Sequence, residues 1–381
     1  MDPADAVLRF LESVGRSEEA EFYLALFRAE AKERFATIAV DAQVARHALD
    51  AVVLDLRFLA ALGLVPVVVL GLHEPGDAQE IAAKLGRRLE KAQVPAGVIL
   101  PVQGTMAIIA ATHAGTIPIV PLGAADGAGV DERVARLGQL LTALATHKLI
   151  FLNRRGALRQ KGAAVPIVNL TTEYEALAGA RDLPGKQQAL LGQARRLIFE
   201  LVPHKLLISV TSPLDLLREL FTVKGAGTLL RRGAVIERRA GFAEVDRDRL
   251  RALLASSFGR PPVEELFARP VDRIYLEEDY RGAAILIDTP LGGYLTKFAV
   301  DREAQGEGMG RDLWALVTAD HRTVFWRARQ GNPINAWYTG QCDGLHRQGD
   351  WHVFWKGLAA ARIPEAIGFA LAQPVDIPHE E

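Results

Sequence analysis

From Phe35 onward, short apolar runs alternate with longer stretches in which apolar positions recur every three or four residues. The runs FATIAV, VPVVVLG, PIVPL, KLIFLN (148–153), VPIVNLT (165–171) and KLLISV (205–210) predict strands, and Asp77–Ala92, Asp131–Thr146 and about 186–202 predict helices. Strands that are apolar on both sides, separated by amphipathic helices, predict a mostly parallel sheet covered on both faces, because each strand buries both of its sides. Ahead of it, residues 3–33 give two amphipathic helical patterns, the second with Phe22, Leu24, Leu26 and Phe27 among charged residues.

The periodicity lapses over the charged segment Arg231–Arg247 and resumes with a helix at about 246–258. A domain boundary is expected there, giving units 1–240 and 241–381. In the second unit the pattern predicts a short helix near 263–269, strands at DRIYLEED, GAAILID, Tyr294–Val300, TVFWRAR and DWHVFWKGL, and a short helix at NPINAWY. This is a mixed α+β order, and Gln373–Glu381 reads as a loose tail.

Composition narrows the classes of function. The chain has 381 residues, 49% hydrophobic and 24% charged, as an ordinary globular protein does. Its 45 basic and 46 acidic side chains leave a formal net charge of −1, so no overall field favours nucleic acid or an anionic membrane. The single cysteine, Cys342, excludes an intrachain disulfide framework, and His346 and His352 lack partners at metal-ligand spacing; no metal is expected. The longest apolar stretch, Phe58–Leu72, contains Pro66 and is too short to span a bilayer. With no basic, apolar leader in MDPADAVLRFLESVG, a cytoplasmic location is expected.

Candidate chemistry centres on Gly293–Trp314, which reads as a strand, the spacing Q-x-x-G-x-G at Gln305, Gly308 and Gly310, and a helix start. Unpaired N–H groups at a helix N-terminus attract an anion, and glycines let backbone approach it closely. Two glycines also occur in strand-to-helix turns of purely structural purpose.

The order of these pieces resembles the Gcn5-related N-acetyltransferase fold. Together YLTKFAV, QGEG, VFWRAR, NPINAWY, DG and W-x-x-FW resemble the catalytic domain of N-acetylglutamate synthases of the vertebrate type and of the bacterial bifunctional synthase/kinases. The resemblance implies acetyl-CoA as co-substrate, held by Phe298, Ala299, Val300, Gln305, Gly306, Gly308 and Gly310. It implies L-glutamate as acceptor, bound by Lys297, Arg327, Arg329, Asn332 and Arg260, the last standing where the family usually has lysine. Fixed cations suit an acceptor with two carboxylates; surface ion pairs are the plainer use of such residues. By the same resemblance Tyr338 protonates the departing thiolate, although a tyrosine beside Trp337 also reads as core. Asp301 reads as a helix cap or as a base for the amine.

Upstream, FTVKGAGT followed by an apolar strand resembles the closing segment of amino-acid kinase domains. The phosphate-binding positions of such kinases fall here at IAVDAQVA (38–45) and VVVLGLHEPG (67–76), which lack the family's lysine and glycine pair. An inactive kinase-like domain serving regulation or assembly is therefore expected, in a homo-oligomer that the family commonly builds as a tetramer. Arginine is the family's effector, but Val223 and Lys224 stand where arginine-sensitive relatives carry acidic residues. Two alternatives remain at this point: an acetyltransferase with another amino-acid acceptor, and a non-catalytic sensor of arginine or acetyl-CoA.

Overall fold

The computed structural model describes residues 17–122 and 127–378, and the chain divides into two compact units, Met1–Gly233 and Ala234–Glu381. Of the two amino-terminal helical patterns, the second appears as a helix at Ser17–Ala29, and the first falls largely outside the described residues.

The first unit is built on β1 (Thr37–Val40), β2 (Val67–Leu70), β3 (Ala96–Val98), β4 (Ile117–Pro121) and β5 (Lys148–Leu152). A two-stranded ribbon, β6 (Arg159–Gln160) with β7 (Ala163–Ala164), precedes β8 (Ile167–Asn169), β9 (Leu207–Thr211) and β10 (Thr228–Arg231). The main sheet runs β3-β4-β2-β1-β5-β9-β10-β8, parallel throughout except where β10 lies antiparallel to β9. Alternation along the strands explains the all-apolar runs. Ile38, Val40, Val68 and Leu70 pack on one face with Leu56 and Leu59 of the helix Leu49–Ala61, while Ala39, Val67, Val69 and Phe151 pack on the other with Val134 and Leu137 of the helix Val130–Ala143.

The second unit begins earlier than the sequence pattern places it, at Ala234 rather than residue 241. The cause is β11 (Ile236–Arg239), an edge strand hidden in the charged segment and paired antiparallel to β12 (Arg273–Glu277). An edge strand with one face towards solvent needs no apolar run, and charge on it discourages pairing with other chains. The sheet continues through β13 (Gly282–Thr289), β14 (Gly292–Val300), β15 (Val324–Arg329), β16 (Gly344–Gln348) and β17 (Trp351–Lys356), in the order β11-β12-β13-β14-β15-β17-β16. Only β14 and β15 are parallel, with the helix Met309–Asp320 crossing between them. Among the described residues no helix is long and apolar enough to cross a membrane.

The expectation of a loose carboxy-terminal tail is not met over its described part. A helix at Ile363–Ala372 packs Ala366 and Ala370 on Tyr294, Phe325 and Val353. The segment that follows is tied down as far as Pro378 by ion pairs and backbone hydrogen bonds rather than by apolar burial.

Candidate active site

Strands β14 and β15 pair only from Gly293 to Leu295 and from Val324 to Trp326, and then part. The edge of β14 from Thr296 to Val300 is thus left without a strand partner on the β15 side. At the same place β14 carries a bulge: Ile285 pairs with Lys297 but Leu286 with Leu295, so Thr296 is the extra residue. A bulge reverses the alternation of side chains beyond it. Leu295 and Phe298 therefore share one face, whereas Tyr294 and Lys297 share the other.

Simple alternation orders β15. Val324, Trp326 and Ala328 join the cluster of Phe298 and Tyr338, and Phe325 joins the helix Ile363–Ala372. Arg327 and Arg329 consequently lie on the face to which the bulge brings Lys297. Three of the cations named from sequence occupy one side of the sheet and the tyrosine the other, with the parted strands between them.

The cations are organised by partners that the sequence pattern did not reveal. Lys297 is 9% exposed, and its Nζ donates to Asp376 Oδ2 at 2.5 Å. Burial pulls the Lys297 pKa down while the Asp376 carboxylate opposes that shift. Asp376 also pairs with Arg269. Arg327 donates to the carbonyls of Leu371 (3.1 Å), Gln373 (2.8 Å) and Pro374 (2.8 Å) and stacks on the Trp351 ring at 3.9 Å. Arg329 lies over the same ring at 4.5 Å and reaches Asp350 at 3.5 Å. Trp351 holds both guanidinium planes by cation–π contact. Arg260, just past the helix Arg247–Phe258, donates to the Pro378 carbonyl at 3.2 Å. Asn332 donates its N–H to the Arg329 carbonyl at 3.0 Å; its Oδ1 accepts from the Ile334 N–H at 3.2 Å and shapes the turn into the helix Asn335–Gln341.

On the opposite face Tyr338 is 5% exposed within an aromatic box. Its ring lies 5.4 Å from Trp326, 5.4 Å from Phe354, 5.6 Å from Trp337 and 6.3 Å from Phe298. Burial pushes its phenol well above the ordinary range, so the hydroxyl keeps its proton at neutral pH. The phenol is therefore a weaker acid than an exposed tyrosine, so a donor role for it rests on its position and not on this shift.

The glycine loop stands at the end of β14. Gly306 and Gly308 take positive φ of 86° and 82°, which a side chain would strain, and Gly308 caps the helix Met309–Asp320 with no side-chain hydrogen bond. Gly310 allows the helix close to the strand: a Cβ there would lie 3.5 Å from Phe298 and 3.7 Å from Val300. Gln305 Nε2 donates to the Val300 carbonyl at 3.3 Å, tying the loop to the strand. A helix start led in by glycines at the mouth of the gap is suited to a phosphate. Phe298 and Ala299 are buried and Val300 is half-buried. Asp301 accepts from Ser256 Oγ at 3.1 Å, and its carbonyl receives the N–H groups of Ala304 and Gln305, a structural use of the residue. A separate open hollow lined by Asp288, Thr289, His321 and Arg322 lies at the other ends of β14 and β15 and contains none of these groups.

In the first unit, the turns expected to hold nucleotide phosphate are occupied by carboxylates. After β1, Asp41 accepts from the Gln43 N–H at 2.8 Å and caps the helix Ala42–His47. The cation nearby, Arg46, is engaged by Asp77 at 3.0 Å and Glu74 at 2.9 Å. At Gly71 a Cβ would meet Ala78 at 2.6 Å and the Leu122 carbonyl at 2.8 Å, so that turn is filled by protein. The N–H groups of Ala226 and Gly227 in FTVKGAGT are taken, both at 2.8 Å, by buried Glu219 of the preceding helix Leu216–Phe221.

Comparison with known proteins agrees with this architecture. The family described as "NAT, N-acetyltransferase, of N-acetylglutamate synthase" matches residues 237–368. A protein of Xanthomonas campestris pv. campestris named acetylglutamate kinase is 32% identical over 90% of this chain and 94% of its own length. Mitochondrial N-acetylglutamate synthase of Homo sapiens is 32% identical over 93% of this chain and 75% of its own length. Among solved structures, N-acetylglutamate synthase from Neisseria gonorrhoeae, complexed with coenzyme A and L-arginine, aligns with a TM-score of 0.54 at 17% identity, covering 90% of this chain and 98% of that one. The fold is an amino-acid-kinase-like unit followed by an acetyltransferase unit.

Proposed function

The chain belongs to the N-acetylglutamate synthase family, and from that premise we propose how its second unit transfers acetyl from acetyl-CoA to the amine of L-glutamate. The observation that carries this reading is the parting of β14 and β15, with fixed cations on one face, a buried tyrosine on the other and a glycine-led helix start at the mouth. The pyrophosphate of acetyl-CoA docks at Gly306–Gly310, and its thioester arm runs along the unpaired edge of β14 past Phe298, Ala299 and Val300. The acceptor's carboxylates are held by Lys297, Arg327 and Arg329, which turns its neutral amine into the gap. The amine nitrogen bonds to the thioester carbonyl carbon, the carbon–sulfur bond breaks, the thiolate takes the proton of Tyr338, and the surplus proton of the amine nitrogen leaves to solvent, from which the phenol is reprotonated.

Glutamate-dependent release of free thiol from acetyl-CoA is the expected result. Turnover with other amino acids at a comparable kcat/KM would assign a different acceptor, and no release with any would leave a binding protein. Titrating arginine into the same assay tests control through the first unit; since Glu219 is committed to its glycine turn and Lys224 is cationic, the expected outcome is little inhibition.

The first unit is inactive as a kinase on this reading, although relatives at similar identity carry that name. Phosphoryl transfer depends on positioning and on neutralising phosphate charge. Asp41, Glu74 and Asp77 offer the wrong sign, and Arg46 is already neutralised. The unit is kept as a folded platform for assembly and regulation. Neither ATP binding nor N-acetylglutamate-dependent ADP formation is expected; ADP formation would overturn the assignment.

A further inference from the structure

Among the described residues, the segment Gln373–Pro378 is bonded to three of the cations assigned to the acceptor: Lys297 through the Asp376 carboxylate, Arg327 through the carbonyls of Gln373 and Pro374, and Arg260 through that of Pro378. The Asp376 carbonyl also accepts from the Val263 N–H at 2.9 Å. Burial along the segment runs opposite to that of a packed strap. Val375 is 44% exposed, whereas Asp376, the charged residue beside it, is 5% exposed. The segment is held by hydrogen bonds to its carbonyls and by the buried Asp376 carboxylate, and another carboxylate can take that carboxylate's place on Lys297 and Arg269.

We propose that Asp376 is a resident carboxylate of the acceptor site, which the incoming amino acid displaces from Lys297 and Arg269 with a carboxylate of its own. This rests on the reading that Lys297 and the strand arginines receive the acceptor. Exchanging one carboxylate for another keeps the buried cations paired throughout. An acceptor without a second carboxylate would leave Lys297 and Arg269 unpaired once Asp376 had left, which a buried charge resists. The segment therefore excludes amines that the bare cleft would admit, and it covers the cations until glutamate arrives.

The test uses the full chain, Asp376→Asn and a chain ending at Ala372, in the thiol-release assay with glutamate varied. Removing the competing carboxylate is expected to lower the glutamate KM by about tenfold, with the acetyl-CoA KM unchanged, and a peptide of sequence QPVDIP is expected to inhibit the shortened chain competitively against glutamate. Unchanged or raised glutamate KM in both variants, with wild-type melting temperature and acetyl-CoA KM, would overturn the proposal. Should either variant fail to fold, amide exchange in the intact protein decides: saturating glutamate should speed exchange of the Val263 N–H, and slowed or unchanged exchange would refute displacement. Absence of glutamate turnover in the unaltered protein is a distinct outcome that removes the acceptor assignment itself, and with it the proposal.

Discussion

Tyr338→Phe is expected to lower kcat by roughly 10²–10⁴ with little change in either KM, the range by which a positioned proton donor accelerates a step. The substitution removes one oxygen and leaves the ring among Trp326, Trp337, Phe354 and Phe298, so the aromatic box and the helix Asn335–Gln341 keep their packing. Because burial holds the phenol above its ordinary range, the wild-type enzyme should show no fall in kcat on the alkaline side as pH approaches the usual phenol value of about 10. A loss of under about threefold in the variant would mean that water protonates the thiolate.

The glycine loop proposed for acetyl-CoA was visible in the sequence because its features are local. Gly306 and Gly308, the helix start at Met309 and Gly310 within that helix lie in one short stretch, and the first two glycines take positive φ. The strands were legible where both faces are buried, as at β1 and β2, and β11 was not, since an edge strand rich in arginine and glutamate looks like a linker. The face proposed for the acceptor was legible only in part. Alternation in VFWRAR puts Arg327 and Arg329 together, yet joining Lys297 to them depends on a bulge at Thr296, and no residue there announces one. Asp376 and Arg269 were missed altogether. Asp376 meets Lys297, and Arg269 meets Asp376, from distant points of the chain, and an aspartate in QPVDIP carries no periodic signal that would distinguish a buried ion pair from a solvated end.

Lys297→Met should reduce kcat/KM for glutamate by about 10- to 150-fold, the equivalent of losing a charge-assisted contact of roughly 1.5–3 kcal/mol. Methionine fills most of the volume of the buried lysine stem, and Asp376 keeps its pairing with Arg269, so the substitution deletes a charge without orphaning its partner. The effect should fall on glutamate and not on acetyl-CoA, because the glycine loop and the Phe298 and Tyr338 side chains lie at the strand end and on the opposite face of the sheet. Lys297→Arg would restore the charge with a different donor geometry and should recover only part of the loss. Wild-type glutamate kinetics in Lys297→Met would remove this residue from the acceptor site and leave its ion pair with Asp376 as a purely structural tie.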